Sequence, residues 1–340
     1  MLKTKDFDYY LPENQIAQTP VEPRDHSRLF VYERASGKIE HKHFYDIVDY
    51  LHTGDLLVVN QTRVIPARLY GQKLPGLGHI EVLLLQKQGE LEWSCLIGGS
   101  GMKIGRRLRI ENGPEAEVIA VLEGAKRIVR FDEAIELFFD KAGHVPLPPY
   151  IHGYEGDPER YQTVFNKTPG SAAAPTAGLH FTPELIQQLK DKGVSMATVD
   201  LQVGLDTFLP VTEDNPYEHH IHTEWCSVPQ ETVEMIAQTK ANGGRVIAVG
   251  TTAVRTLETL AQVSENGALR SWQGDTSLFI LPGYQFKVID GMITNFHLPK
   301  STLLMLVSAF VGRETILALY KTAIELNYRF FSFGDAMLLL

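Results

Sequence analysis

Seven consecutive residues, Glu218-His219-His220-Ile221-His222-Thr223-Glu224, supply three imidazoles and two carboxylates. Neutral imidazole is the side chain best tuned to move protons near pH 7, so proton transfer at His219 or His222 is one reading. A metal site is a second, with His220 and His222 as an H-x-H pair completed by Glu224 or Cys226. On an extended segment alternate residues share a face, which would send His220, His222, Glu224 and Cys226 the same way. A solvated loop is the third reading.

The run Gly170 to Thr182, GSAAAPTAGLHFT, offers a different chemistry. It carries almost no apolar bulk before Leu179 and is expected not to fill a core. Its glycines would let the backbone pass close to a ligand, which makes Ser171, Thr176 and Gly178 candidate substrate contacts. His180, set between Leu179 and Phe181, would face that ligand. Thr182 then reads as a helix N-cap, with Pro183 at the first helical position and Glu184 in the first turn. Free backbone N–H groups at such a helix start suit an anion. A surface loop with a good cap is the plain alternative.

A strand over 245–249 runs into Gly250-Thr251-Thr252 and then a helix bearing Arg255 and Glu258. A glycine at the carboxyl end of a strand, opening a helix, is the usual ligand position in an α/β sheet. It is neither a phosphate-binding P-loop nor a GxGxxG fingerprint, so triphosphate and dinucleotide readings lose ground. Thr251 and Thr252 could offer hydroxyls and backbone N–H groups to a carboxylate or phosphate; a plain capped turn competes. Further on, Thr294 to Thr302 caps an apolar helix, yet Asn295 and His297 exceed what capping needs. Arg24, Arg28, Arg63 and Arg68 put fixed positive charge in or beside loops, where a surface salt bridge is the simpler role for each alone. Asp335 ends the motif Phe333-Gly334-Asp335 in a glycine turn.

The elements that must position these residues fall into two patterns. At 340 residues, with 44% hydrophobic and 21% charged residues, the chain has room for two globular domains. Runs at 56–59, 64–72, 80–86, 91–97, 116–122 and 126–131 read as short strands separated by glycine turns, a small barrel or sandwich. From about residue 150 helices and strands alternate, with helices over 183–192, 230–242 and 252–262, which points to a largely parallel sheet. The first 55 residues mix helix and strand and belong with the later part. The expected fold is therefore an α/β main domain (1–62 plus 149–340) with an inserted, smaller all-β, barrel-like domain (63–148). The N-terminus shows no run resembling a signal peptide, and no stretch of about 18 apolar residues suggests a membrane span. Cys95 and Cys226 make no framework of bridges, which fits a reducing compartment. The net charge of −9 argues against a sequence-blind grip on nucleic acid without excluding a local basic patch. The cluster Lys103, Arg106, Arg107 and Arg109 reads as a solvated face.

The motifs IAQTP-x3-RDHSRL (16–29), GDLLVVNQTRVIPARL (54–69), PTAGLHFT (175–182), HHIHTE, VGTTAVRTLE (249–258), TNFHLPKSTLLMLVSAF (294–310) and YRFFSFGDAM (328–337) follow one another along the whole chain. In that order they resemble the S-adenosylmethionine:tRNA ribosyltransferase-isomerases of queuosine biosynthesis. Asp206 in QVGLDTF departs from the glycine expected there. The resemblance implies an α/β domain with an inserted β-barrel and no metal or further cofactor, S-adenosylmethionine being consumed as substrate. Its ribosyl group would pass to 7-aminomethyl-7-deazaguanine at the tRNA wobble position and be rearranged to epoxyqueuosine, releasing adenine and methionine. His180, His219, His222 and Asp335 then become the proton-transfer set, for C5′ deprotonation beside the sulfonium and for departing adenine. Ser171, Thr176, Gly178, Gly250, Thr251, Thr252, Arg255, Asn295 and His297 become substrate contacts. Arg24, Arg28, Arg63 and Arg68 become tRNA contacts. A cytoplasmic monomer with no membrane contact is expected. Two other classes compete: a metal-dependent hydrolase built on residues 219–226, and a non-catalytic RNA-binding module, for which the β insertion lacks interleaved aromatic and basic residues.

Overall fold

Leu56–Asn60 (LLVVN) and Val246–Val249 (VIAV) are too apolar to leave either face in water, and the computed structural model buries every residue of both. The structure describes residues 2–204, 210–264 and 267–340; Asp206 lies outside them. Backbone contacts gather the chain into two units. One comprises Met1–Arg63, Pro148–Thr168 and Ala174–Leu340; the other comprises Val64–Leu147 and Pro169–Ala173.

The first unit is built on a sheet of nine strands among the described residues. Their order is Trp272–Thr276, Glu224–Val228, Ser195–Leu201, Leu56–Asn60, Val246–Val249, Gly291–Asn295, Ala336–Leu339, Arg28–Glu33, Lys38–His43. The four strands from Ser195–Leu201 to Gly291–Asn295 are parallel. Outside them most neighbours are antiparallel, so the sheet is mixed where the sequence suggests largely parallel. The difference is physical. Parallel neighbours need a long crossover, usually a helix, whereas the connection from Ser195–Leu201 to Glu224–Val228 carries only the short turn Pro216–Glu218 among the described residues.

Alternation along the central strands sends side chains to two cores. Leu56, Val58, Ala197, Val199 and Val246 pack with Val254, Leu257 and Leu260 of helix Thr251–Val263. Leu57, Val59, Ile247 and Val249 pack on the other face with Leu185 and Leu189 of helix Pro183–Asp191 and with Phe44 and Ile47. Both faces of a parallel sheet are thus covered, as its apolar strands require. Thr182 caps its helix by accepting from the Leu185 amide at 3.2 Å, and Ser301 caps helix Thr302–Val311 through Leu304 at 3.1 Å. No single helix among the described residues is long and apolar enough to cross a membrane.

The second unit is a closed antiparallel barrel of six strands. Arg68–Leu74, His79–Lys87, Glu92–Ile97, Lys126–Phe131, Glu115–Val121 and Arg107–Ile110 pair in that order, and Arg107–Ile110 returns to Arg68–Leu74. Closure needs Gly71, because a Cβ there would stand 2.4 Å from the Arg109 carbonyl oxygen. Arg107–Ile110 is a strand the apolar pattern does not show. Leu108 and Ile110 enter the core while Arg107 and Arg109 stay outside, paired with Asp132 and Glu115.

The small-residue run, expected not to fill a core, is instead buried at Ala172, Ala173, Ala174, Ala177, Leu179 and Phe181. Small side chains let the backbone pack directly against its neighbours: a Cβ on Gly178 would meet Thr163 Cγ2 at 2.9 Å.

Candidate functional site

The four parallel strands present their carboxyl ends at one edge, at Asn60, Leu201, Val249 and Asn295. Ligands of open α/β sheets bind outside that edge. There a pocket of about 600 Å³, counting its open mouth, is walled by 174–177, 250–252, 294–298, Ser301 and Phe331–Ser332.

Gly250 makes the first wall. Its φ of 89° and ψ of 153° belong to a region open essentially to glycine alone, and the turn delivers the chain into helix Thr251–Val263. That helix starts without a side-chain cap, and the Val254 amide is the first to find a backbone acceptor, Gly250 O at 3.2 Å. Among the described residues no protein acceptor meets the amides of Thr251, Thr252 and Ala253. Thr252 Oγ1 is buried beside them without a partner. Thr251 and Thr252 line the pocket, so their N–H groups, the Thr252 hydroxyl and the positive end of a 13-residue helix lie at its wall, an arrangement suited to a carboxylate.

Asn295 ties the opposite wall together. Its Oδ1 accepts from Thr176 Oγ1 at 3.2 Å, while its Nδ2 donates to the Phe331 carbonyl at 3.0 Å and meets His180 Nε2 at 3.3 Å. An amide nitrogen only donates, so His180 Nε2 is the acceptor and Nδ1–H donates to Ser27 Oγ at 2.7 Å. Burial, with Arg24 and Arg329 nearby, pushes His180 down to about 3. His180 is therefore neutral with both ring nitrogens engaged, stacked on Phe44 and facing a smaller cavity lined by Arg24, Arg160 and Phe333. His297 lines the main pocket itself. Its Nε2 bonds Thr294 Oγ1 at 2.7 Å, its backbone N–H donates to Tyr320 Oη at 2.9 Å, and burial pushes its imidazole down to about 3.

Of the residues singled out in the sequence, Thr176, Gly250, Thr251, Thr252, Asn295 and His297 meet at this pocket. The others stand elsewhere. His219 Nδ1 bonds Glu213 Oε2 at 2.9 Å with Phe279 edge-on, and His220 and His222 are exposed. Glu224 begins a strand whose alternate residues Glu224, Cys226 and Val228 are buried, and it takes Arg255 as its ion-pair partner. The metal reading fails on this placement: among the described residues no three of His, Cys, Asp and Glu converge as ligands. Arg255 also donates to the Leu278 carbonyl at 3.1 Å. Asp335 is buried and accepts the Arg28 and Arg329 amides, each at 2.8 Å. Ser171 lies in the second unit and donates to the Ala173 carbonyl at 2.7 Å.

The four arginines are all engaged. Arg24 donates to the Gln162 and Glu159 carbonyls, Arg28 lies 3.7 Å over the Tyr328 ring, Arg63 pairs with Glu159 and Arg68 with Glu81. Ser27, Thr294, Phe331 and Ser332 belong to the site without having been singled out. Their signal lies in the motifs that contain them, RDHSRL, TNFHLPKST and FFSFGD.

The profile of the family described as queuosine biosynthesis protein matches residues 4–339. The chain is 53% identical over 343 residues to the S-adenosylmethionine:tRNA ribosyltransferase-isomerase of Carboxydothermus hydrogenoformans, covering 100% of both chains. It is 51% identical over 340 residues to the enzyme of the same name from Clostridium kluyveri, covering 99% of each. A crystal structure of the S-adenosylmethionine tRNA ribosyltransferase of Thermotoga maritima matches with a TM-score of 0.58 at 42% identity, over 98% of this chain and 100% of that one. The main pocket draws its walls from four of the motifs that carry the likeness, and the chain belongs to the queuosine biosynthesis protein family.

Proposed function

We propose that the chain moves the ribosyl group of S-adenosylmethionine onto 7-aminomethyl-7-deazaguanine at the tRNA wobble position and isomerises it to epoxyqueuosine, with adenine and methionine leaving. The observation that carries this reading is the full-length likeness to enzymes of that name, joined to a pocket at the sheet edge with helix N-terminal amides in its wall. No further cofactor is required. The amides of Thr251, Thr252 and Ala253, with Thr252 Oγ1, would hold the methionine carboxylate. Thr176 and Asn295 would position the nucleoside.

His297 is the histidine that lines the pocket, and its neutral ring is in the form a base needs. When Nε2–H donates to Thr294 Oγ1, Nδ1 is left as the acceptor for the C5′ proton. His219 and His222 remain the assignment from sequence, and alanine at either position tests it by the same measurement of turnover. Asn295 holds His180, which in this reading fixes the wall and does not titrate. The barrel, reached after Arg63 and left at Pro148, is read as an insertion in the α/β unit. We place the reaction in the cytoplasm, with tRNA.

The test is to incubate the protein and donor with tRNA carrying 7-aminomethyl-7-deazaguanine, and with unmodified tRNA. Adenine and methionine should appear in equal amounts with the first only. S-adenosylhomocysteine together with methylated tRNA would overturn the proposal.

A further inference from the structure

The charges of the barrel separate along its length. Loops 88–91 and 111–114 and the segment 132–136 close one end and carry Glu90, Glu111, Asp132, Glu133 and Glu136 with no lysine or arginine. Loops 75–78, 98–106 and 122–125 close the other. There Lys103 and Arg106 lie in the loops, and Lys73, Lys126 and Arg127 stand on the adjoining strand ends, against the single carboxylate Glu123; the cations on strand ends at the first end, Lys87, Arg109 and Arg130, are paired with Glu136, Glu115 and Glu92.

Three of these cations converge on one short stretch of backbone. Lys73 Nζ donates to the Ser100 carbonyl at 2.8 Å, Arg106 Nε to Gly101 at 3.1 Å, and Arg127 Nε to Met102 at 2.8 Å. Their heads are fixed around the loop while each keeps further N–H donors. Among the described residues, no carboxylate lies within ion-pair distance of any of the five. Elsewhere on the barrel the pattern is the reverse: Arg68, Lys87, Arg107, Arg109 and Arg130 are each paired with a carboxylate. The same loops expose Leu77 and Ile104, 57% and 65% accessible, so apolar surface shares this end with the cations.

We propose that this end of the barrel docks the phosphate backbone of the substrate tRNA. The inference rests on the functional reading above and adds the surface that reading lacks. A polyanion approaching a chain of net charge −9 needs a local field of opposite sign, and unpaired, pre-positioned cations provide one without first breaking ion pairs. An anionic lipid surface would also take cations around apolar residues, and the test separates the two.

Lys103 and Lys126 hold no part of the loop backbone, so they are the positions to change. Full-length Lys103→Gln, Lys126→Gln and the double variant are compared with wild type for tRNA binding across a salt series. Each neutralised lysine should flatten the slope of log K against log salt by about 1, and the pair by about 2. The KM for tRNA should rise while the KM for S-adenosylmethionine stays in place. An unchanged slope and tRNA affinity in the double variant overturns the proposal. So does intact tRNA binding accompanied by lost binding to phosphatidylserine vesicles. If the wild type releases no adenine, the enzymatic reading falls, and the slope difference still decides the docking surface.

Discussion

Lowering the pH from 7.5 to 5.5 should weaken the folded chain through two residues of the site. In the unfolded chain the imidazoles of His180 and His297 titrate near 6.5; in the fold burial pushes both down to about 3. At pH 7.5 neither state is protonated and the two residues have little effect. As pH falls below 6.5 the unfolded chain takes up protons that the folded one refuses, so stability is lost with acid. One unit below 6.5 the loss is RT ln(1 + 10), about 1.4 kcal/mol for each residue and about 2.8 kcal/mol for the pair. Asp335, raised by burial, acts in the opposite direction, and the lowered carboxylates Asp55, Glu115 and Asp132 matter only at more acid pH. Urea unfolding of the wild type and of His297→Asn at both pH values isolates the contribution, because Asp335 is common to the two proteins. The variant should lose about 1.4 kcal/mol less than the wild type between the two pH values. Equal losses would mean that His297 titrates as an exposed histidine, and the buried neutral site would be refuted.

Three further outcomes follow from the same geometry. Thr252→Val removes the buried hydroxyl at constant shape and should raise KM for S-adenosylmethionine about tenfold, the worth of a hydrogen bond to a charged group, with KM for tRNA unmoved; equal KM values for the donor would take Thr252 out of the cradle. Gly250→Ala places a Cβ in a glycine-only conformation and should cost about 1–3 kcal/mol, read as a lower melting temperature. If His297 is the base, its depressed titration leaves kcat/KM undiminished by that residue from pH 8 to pH 6, and His297→Asn should cut turnover by about 10²–10⁴-fold. A base of ordinary pKa near 6.5 would instead impose a fall through that range.

Local chemistry was legible before the structure. Thr182 and Ser301 cap helices because a hydroxyl before an apolar run has an amide partner three residues on. Gly250-Thr251-Thr252 was recognisable because a glycine between a β-branched strand and a helix has few other uses. What escaped the sequence is what depends on distant partners. Asn295 meets His180 across 115 positions and Ser27 meets it across 153, and no spacing rule connects them. The shared face expected for His220, His222, Glu224 and Cys226 did not form for a related reason. Alternating burial begins only at Glu224, where the strand starts, so the histidines before it do not share the face of Glu224 and Cys226. In the barrel, Arg107–Ile110 hid behind its two outward arginines, and the cationic end became visible only when ion pairs could be assigned to the other arginines.

The central claim is that the donor gives up its ribosyl group and keeps its methyl on the departing methionine. Two preparations of S-adenosylmethionine, one carrying ¹³C in the ribose and one in the methyl group, are incubated with the protein and tRNA bearing 7-aminomethyl-7-deazaguanine, and the wobble nucleoside is weighed by mass spectrometry. The account predicts five heavy carbons in that nucleoside from the fully ribose-labelled donor, none from the methyl-labelled one, and all of the methyl label in free methionine. Methyl label in the tRNA, with the ribose label left on S-adenosylhomocysteine, would contradict it.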